Sequence, residues 1–188
     1  EVVLRLRGDF AFAAWDGRRG RVFAARDPFG VKPFFYLADR QRICFGSEAK
    51  QLLTIPGVQA KPNEVKIAEL LVTGRGSAGE ATFFENVMRL RPGHWLEADA
   101  AGVRVARWWD PAPKAGAPPS ICDERVAERF YELFRGAVQR RLDTDRPIAL
   151  ELSGGYDSSS VVLAATELKA QGFGALPKIV SISHLYPG

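Results

Sequence analysis

The chain has 188 residues, a formal net charge of +4, 46% hydrophobic and 26% charged residues, which fits one large or two small globular domains. Its arginines are scattered among acids and apolar residues, which argues against a nucleic-acid groove, and no apolar run approaches the roughly 20 residues of a membrane span. No signal peptide is expected from the residue pattern, and two distant cysteines, Cys44 and Cys122, predict a reducing, cytoplasmic setting without a disulfide framework.

The apolar run Phe10 to Trp15 reads as a buried strand. Asp16-Gly17-Arg18-Arg19-Gly20 is a hairpin turn, and residues 21–26 return as the partner strand. The turn Asp27-Pro28-Phe29-Gly30 leads to strands at 32–37 and 42–47, so the four short strands predict an antiparallel meander. A short helix at 48–53 is closed by Pro56-Gly57, and Asn63 is expected to cap a second helix, 64–71. Segments 94–98 and 103–109 predict a second hairpin around residues 99–102. Cys44 is expected to be a small buried hydrophobe, and Arg26, Asp27 and Gly30 to be turn architecture.

Residues 111–119 hold four prolines and are expected to be an interdomain linker between domains at 1–110 and 120–188. Ser120 to Asp123 resembles a capping box opening a helix with Val126, Phe130, Leu133, Phe134, Ala137, Val138 and Leu142 on one face. A strand at 147–152, a helix ended by Gly172 and Gly174, and a strand at 178–183 then predict the start of a parallel α/β sheet. In such sheets ligands sit outside the carboxyl ends of the strands, where the loop after residue 152 and Ser183 and His184 would meet.

That loop reads Leu152-Ser153-Gly154-Gly155-Tyr156-Asp157-Ser158-Ser159. Glycines let backbone N–H groups approach an anion, and a helix start offers unpaired donors. A plain Gly-Gly turn with a serine cap satisfies the same pattern. The spacing is neither that of a Walker A loop nor that of a dinucleotide fingerprint. Ser-Gly-Gly-x-Asp-Ser-Ser resembles the PP-loop of the N-type ATP pyrophosphatases.

The first half carries phrases that resemble the class II glutamine amidotransferase domain: Arg7 to Phe12, Arg26 to Pro33 and Phe45 to Lys50. Phe83-Phe84-Glu85 with Leu90 to His94, and Arg107 to Pro111, resemble the closing segment and linker of asparagine synthetases. With the loop in its place, the chain is identified as a member of the glutamine-hydrolysing asparagine synthetase family. It is expected to be a piece truncated at both ends, since it opens at Glu1 inside an element and stops soon after a strand. The resemblance implies an α+β fold, a partial N-terminal-nucleophile glutaminase with stacked antiparallel sheets, followed by the start of an α/β PP-loop domain.

It further implies ATP and Mg²⁺ as cofactors, with aspartate and glutamine or ammonia as substrates, and homo-oligomerisation is left open. The reaction of the family makes a β-aspartyl-adenylate and pyrophosphate, and ammonia then attacks the acyl carbon. Ser153, Gly154, Gly155, Ser158 and Ser159 would bind pyrophosphate, Asp157 would hold Mg²⁺, and Leu152 would contact adenosine. Ser183 and His184 would line the nucleotide crevice, with His184 toward adenine. Tyr156 is expected to fill space, and Glu151 to be an exposed strand carboxylate. No glutaminase catalytic residue is assigned, and the piece is expected to be inactive alone. A β-lactam synthetase, a lasso-peptide cyclase and a non-catalytic nucleotide-binding relative fit the same plan. A glutamine phosphoribosyltransferase shares the first-half phrases but leaves the Gly-Gly-Tyr-Asp loop unexplained.

Overall fold

The structure is a computed structural model that describes residues 1–39, 41–75, 79–112, 124–172 and 178–184. The chain divides into two compact units, Glu1–Lys114 and Ala115–Gly188. The proline-rich residues 113–119, the capping box at 120–123 and Gly174 lie outside the described residues.

In the first unit, α1 (Val2–Arg5) precedes β1 (Ala11–Asp16), β2 (Arg21–Arg26), β3 (Phe35–Ala38) and β4 (Ile43–Gly46). Then come α2 (Ala49–Leu53), α3 (Glu64–Thr73), β5 (Met88–Arg89), β6 (His94–Asp99) and β7 (Gly102–Arg107). The Asp16 carboxylate fixes the first hairpin turn by accepting the N–H groups of Arg18 at 3.1 Å and Arg19 at 3.2 Å. β1 then runs antiparallel to β2 from Ala11 opposite Arg26 to Asp16 opposite Arg21.

The expected four-strand meander does not form. β1 and β2 belong to a sheet of order β1-β2-β6-β7, and β3 and β4 to a second sheet of order β4-β3-β5. The reason is the segment 27–34, which wraps around Arg26 and Asp27 instead of making a tight hairpin. The second edge of β2 therefore remains for β6, which lies far along the chain. The two sheets stack through Val22, Ala24, Leu96 and Ala98 of one and Tyr36 of the other, with Phe34 and Leu90 beside it, all buried. Each such leucine or valine contributes about 1.5–3 kcal/mol. A smaller core of Leu37, Leu52 and Val87 joins the second sheet to α2.

Asn63 caps α3 through its side-chain oxygen, which accepts the Lys66 N–H at 3.2 Å, and Gly74 closes the helix at a φ of 66°. The apolar residues Val65, Leu71 and Val72 of this helix are exposed.

In the second unit, α4 (Glu124–Arg141), β8 (Ile148–Glu151), α5 (Tyr156–Ala170) and β9 (Ile179–Ile182) form a β-α-β crossover with α4 alongside. β8 and β9 are parallel, Ile148 opposite Ile179 through Glu151 opposite Ile182. The core unites Val138 and Leu142 of the α4 end with Ala164, Ala165 and Leu168 of α5, and Ile148, Leu150 and Ile179 pack against it. The apolar face expected along all of α4 is buried only toward its C-terminal end. Val126, Phe130 and Leu133 are exposed, because the core formed with α5 and the strands starts at Phe134. Among the described residues no helix is long and apolar enough to cross a membrane.

Candidate functional site

Residues 152–155 join the C-terminal end of β8 to the N-terminus of α5. Leu152 sits in the last rung: its N–H donates to the Ile182 carbonyl at 2.8 Å, and its carbonyl accepts the Ser183 hydroxyl at 2.8 Å. The chain then turns at Gly154, whose φ of 83° lies in the left-handed region that favours glycine. Gly155 is the N-cap of α5, and no side chain caps the helix, so its first-turn N–H groups keep their capacity for an outside acceptor.

Ser158 organises the loop from inside. Its hydroxyl accepts the Ser153 N–H at 3.2 Å, lies 3.1 Å from the Ser153 hydroxyl and donates to the Gly155 carbonyl at 3.2 Å. The Ser159 N–H donates to that same carbonyl at 3.1 Å, the first helical bond of α5. Nothing lies within 4 Å of a Cβ built on Gly154, and one on Gly155 meets only the Ser153 hydroxyl at 3.7 Å. The approach to the backbone is open.

Asp157 sits in the first turn, exposed, and makes no hydrogen bond or ion pair among the described residues. No cluster of three or more His, Cys, Asp or Glu there could hold a metal ion. Asp157 offers one free carboxylate beside the loop, and Mg²⁺ binds through one or two carboxylates together with substrate phosphates. His184 stands at the same strand ends, its Nε2 3.8 Å from Glu151 Oε1, with both side chains exposed. Ser183 and His184 thus come together with the loop, and Glu151 is the exposed carboxylate expected.

Tyr156 departs from expectation. It fills no space: at 95% exposure it projects from the first turn of α5, because the core side of that helix is lined by Ala164, Ala165 and Leu168 further along. With Asp157, Phe130, Phe134 and Leu163 it borders an open cleft of about 390 Å³ between α4 and α5. The sequence reading missed this cleft; the signal was the run of aromatics on α4 ahead of the loop.

The first unit is organised by Arg26 and Asp27. The Arg26 guanidinium donates to the carbonyls of Lys32, Leu90 and Gly30 at 2.7, 2.7 and 2.6 Å. Burial pulls this guanidinium below its usual value, the charge of Arg89 adds to that, and Asp27 opposes it. The Asp27 carboxylate accepts the N–H groups of Phe29, Val31 and Lys32. These residues are the turn architecture expected of them. Sequence reasoning missed their hold on the chain further on. The Trp108 indole donates to the Arg26 carbonyl at 3.3 Å, and the N–H groups of Trp108 and Trp109 both donate to Gly93. Cys44 is half-buried against the Leu37 and Leu52 core, and His94 donates through Nδ1 to the Pro92 carbonyl at 2.7 Å.

A unit of two stacked antiparallel sheets, followed by a parallel β-α-β unit with an open Gly-Gly loop, defines the class. A family model described as a glutamine amidotransferase domain matches residues 1–109, and one described as asparagine synthase matches residues 129–183, which include the loop. The chain therefore belongs to the glutamine-hydrolysing asparagine synthetase family. It is 35% identical over 173 residues to asparagine synthetase (glutamine-hydrolysing) 3 of Bacillus subtilis, covering 92% of this chain and 28% of that protein. It is 31% identical over 169 residues to asparagine synthetase (glutamine-hydrolysing) 2 of the same organism, covering 85% and 23%. Amidase chry2 of Gibberella zeae is 33% identical over 172 residues, 90% of this chain and 25% of its own. The chain spans about a quarter of the length of these relatives.

Proposed function

We propose that the protein carrying this chain is an ATP-dependent, amide-forming ligase. It adenylates the side-chain carboxylate of aspartate and aminates it with ammonia drawn from glutamine, giving asparagine, AMP and pyrophosphate. The carrying observation is the uncapped, backbone-lined turn at Gly154-Gly155, within the stretch matched by the asparagine synthase family. Carboxylate oxygen is a poor leaving group, and adenylation replaces it with AMP.

Ser153, Gly154, Gly155, Ser158 and Ser159 would form the pyrophosphate site, with the open backbone at Gly154 and Gly155 facing the departing group, where negative charge develops, and the Ser153–Ser158 bonds holding the turn in shape. Because the turn is already held in place, little reorganisation accompanies the reaction. Asp157 would hold Mg²⁺, which neutralises phosphate charge when bound. Leu152 and His184 would flank the adenosine at the strand ends. The first unit would supply ammonia, and the protein would work in the cytoplasm.

In a second reading the same loop activates a different carboxylate; two relatives carry the name amidase rather than asparagine synthetase. Exchange of labelled pyrophosphate into ATP by the complete protein separates the two. Exchange that depends on aspartate supports the first. Exchange that ignores aspartate but responds to another carboxylic acid supports the second. No exchange with any acid would sink both.

A further inference from the structure

We propose that Ser183 is a positioning residue for the phosphate loop, and that its side chain acts on Leu152 rather than on the nucleotide. This rests on the nucleotide reading above. The register of β8 and β9 places Leu152 opposite Ser183, one step beyond the pair Glu151 and Ile182. In a parallel ladder the N–H of a residue donates to the partner strand one position back, and its carbonyl accepts the N–H one position ahead. Leu152 keeps the first half of this pattern, donating to Ile182 at 2.8 Å. The second half would come from the N–H of His184, and among the described residues that bond is not made. The Ser183 hydroxyl donates to the Leu152 carbonyl instead, at 2.8 Å.

The substitution has two physical effects. It ends the ladder, so β9 stops at Ile182 and the strands part where ligands enter parallel sheets. It also leaves the Leu152 carbonyl satisfied, so the parting costs no orphaned acceptor. The residue fastened at both ends is the one directly before Ser153, whose N–H and hydroxyl both meet Ser158. Ser183 therefore fixes the root from which the donors for the β- and γ-phosphates spring. A hydroxyl spent on Leu152 is not a donor for adenosine. Through Leu152 the effect of Ser183 should reach the phosphates more strongly than the nucleoside, because the loop donors all follow Leu152 whereas adenosine meets it at one residue.

The test is calorimetric binding of three probes, Mg²⁺-ATP, Mg²⁺-pyrophosphate and AMP, to the complete protein. One net hydrogen bond corresponds to roughly three- to tenfold in affinity. Ser183→Ala should weaken ATP and pyrophosphate by about that factor and weaken AMP less. Ser183→Thr, which keeps the hydroxyl, should restore ATP affinity. Ser183→Cys, a similar volume with a weak donor, should behave as Ser183→Ala and guards against a folding defect in any one variant. Equal weakening of ATP and AMP, or unchanged ATP affinity in both Ser183→Ala and Ser183→Cys, would overturn the proposal. Wild-type protein that binds none of the three would instead remove the nucleotide reading and this inference with it.

Discussion

Arg26 donates from Nη1 to the carbonyl of Leu90, 64 residues further along the chain, at 2.7 Å in a buried position. That bond ties the end of β2 to the segment just before β6, its neighbour in the sheet. With the carbonyls of Gly30 and Lys32, one guanidinium closes three backbone acceptors. Arg26→Ala orphans them, and the expected cost is about 2–4 kcal/mol. Arg26→Lys should recover little, because an ammonium cannot reproduce a planar fork. Denaturant unfolding of the three proteins checks this; equal midpoints for wild type and Arg26→Lys would contradict it.

Gly30 and Gly154 both have positive φ, 66° and 83°, but alanine should affect them differently. A Cβ on Gly30 would lie 2.7 Å from Pro92 Cγ and 3.0 Å from the Arg26 guanidinium, whereas one on Gly154 meets nothing within 4 Å. Gly154→Ala should cost only the left-handed backbone penalty, about 1–2 kcal/mol, and lose affinity for ATP. Gly30→Ala should cost more stability and leave ATP affinity intact. Thermal melts paired with ATP titration of both variants distinguish the two effects.

The Asp39 carboxylate is held below its usual range, chiefly by the Gln41 N–H and then by the Arg42 side chain. The sign follows from linkage. A depressed folded value means that the stabilisation is present above the ordinary carboxylate pKa and lost as pH falls through the folded one. The stability difference between wild type and Asp39→Asn should therefore be constant above about pH 5 and shrink below about pH 4. A difference that grows on acidification would contradict this assignment.

The strands and helices were legible where the pattern is local. Asp16-Gly17 marked a turn, Asn63 marked a helix start, and both formed. Sheet membership was not legible, because pairing is chosen by distant partners: β2 takes β6, and β3 takes β5. The roles of Arg26 and Asp27 were visible as a motif, but not their grip on Leu90, Gly93 and Trp108, which depends on folded proximity. In the second unit the loop residues were read from their order alone. The behaviour of Ser183 was not, since it depends on where the β9 ladder stops. Tyr156 does not fill space because the residues packing α5 lie about two to three turns further along that helix.

The central claim is that the Gly154-Gly155 loop and Asp157 hold the phosphates of a magnesium nucleotide. Its most direct test is titration of ATP into the complete protein, with and without Mg²⁺, beside Asp157→Ala. Asp157 is exposed and without a partner among the described residues, so the substitution should leave the melting temperature within about 2 °C. The account predicts that wild type binds ATP more tightly when Mg²⁺ is present, and that Asp157→Ala loses this magnesium-dependent gain. No heat from wild type, or an undiminished magnesium effect in Asp157→Ala, would contradict it.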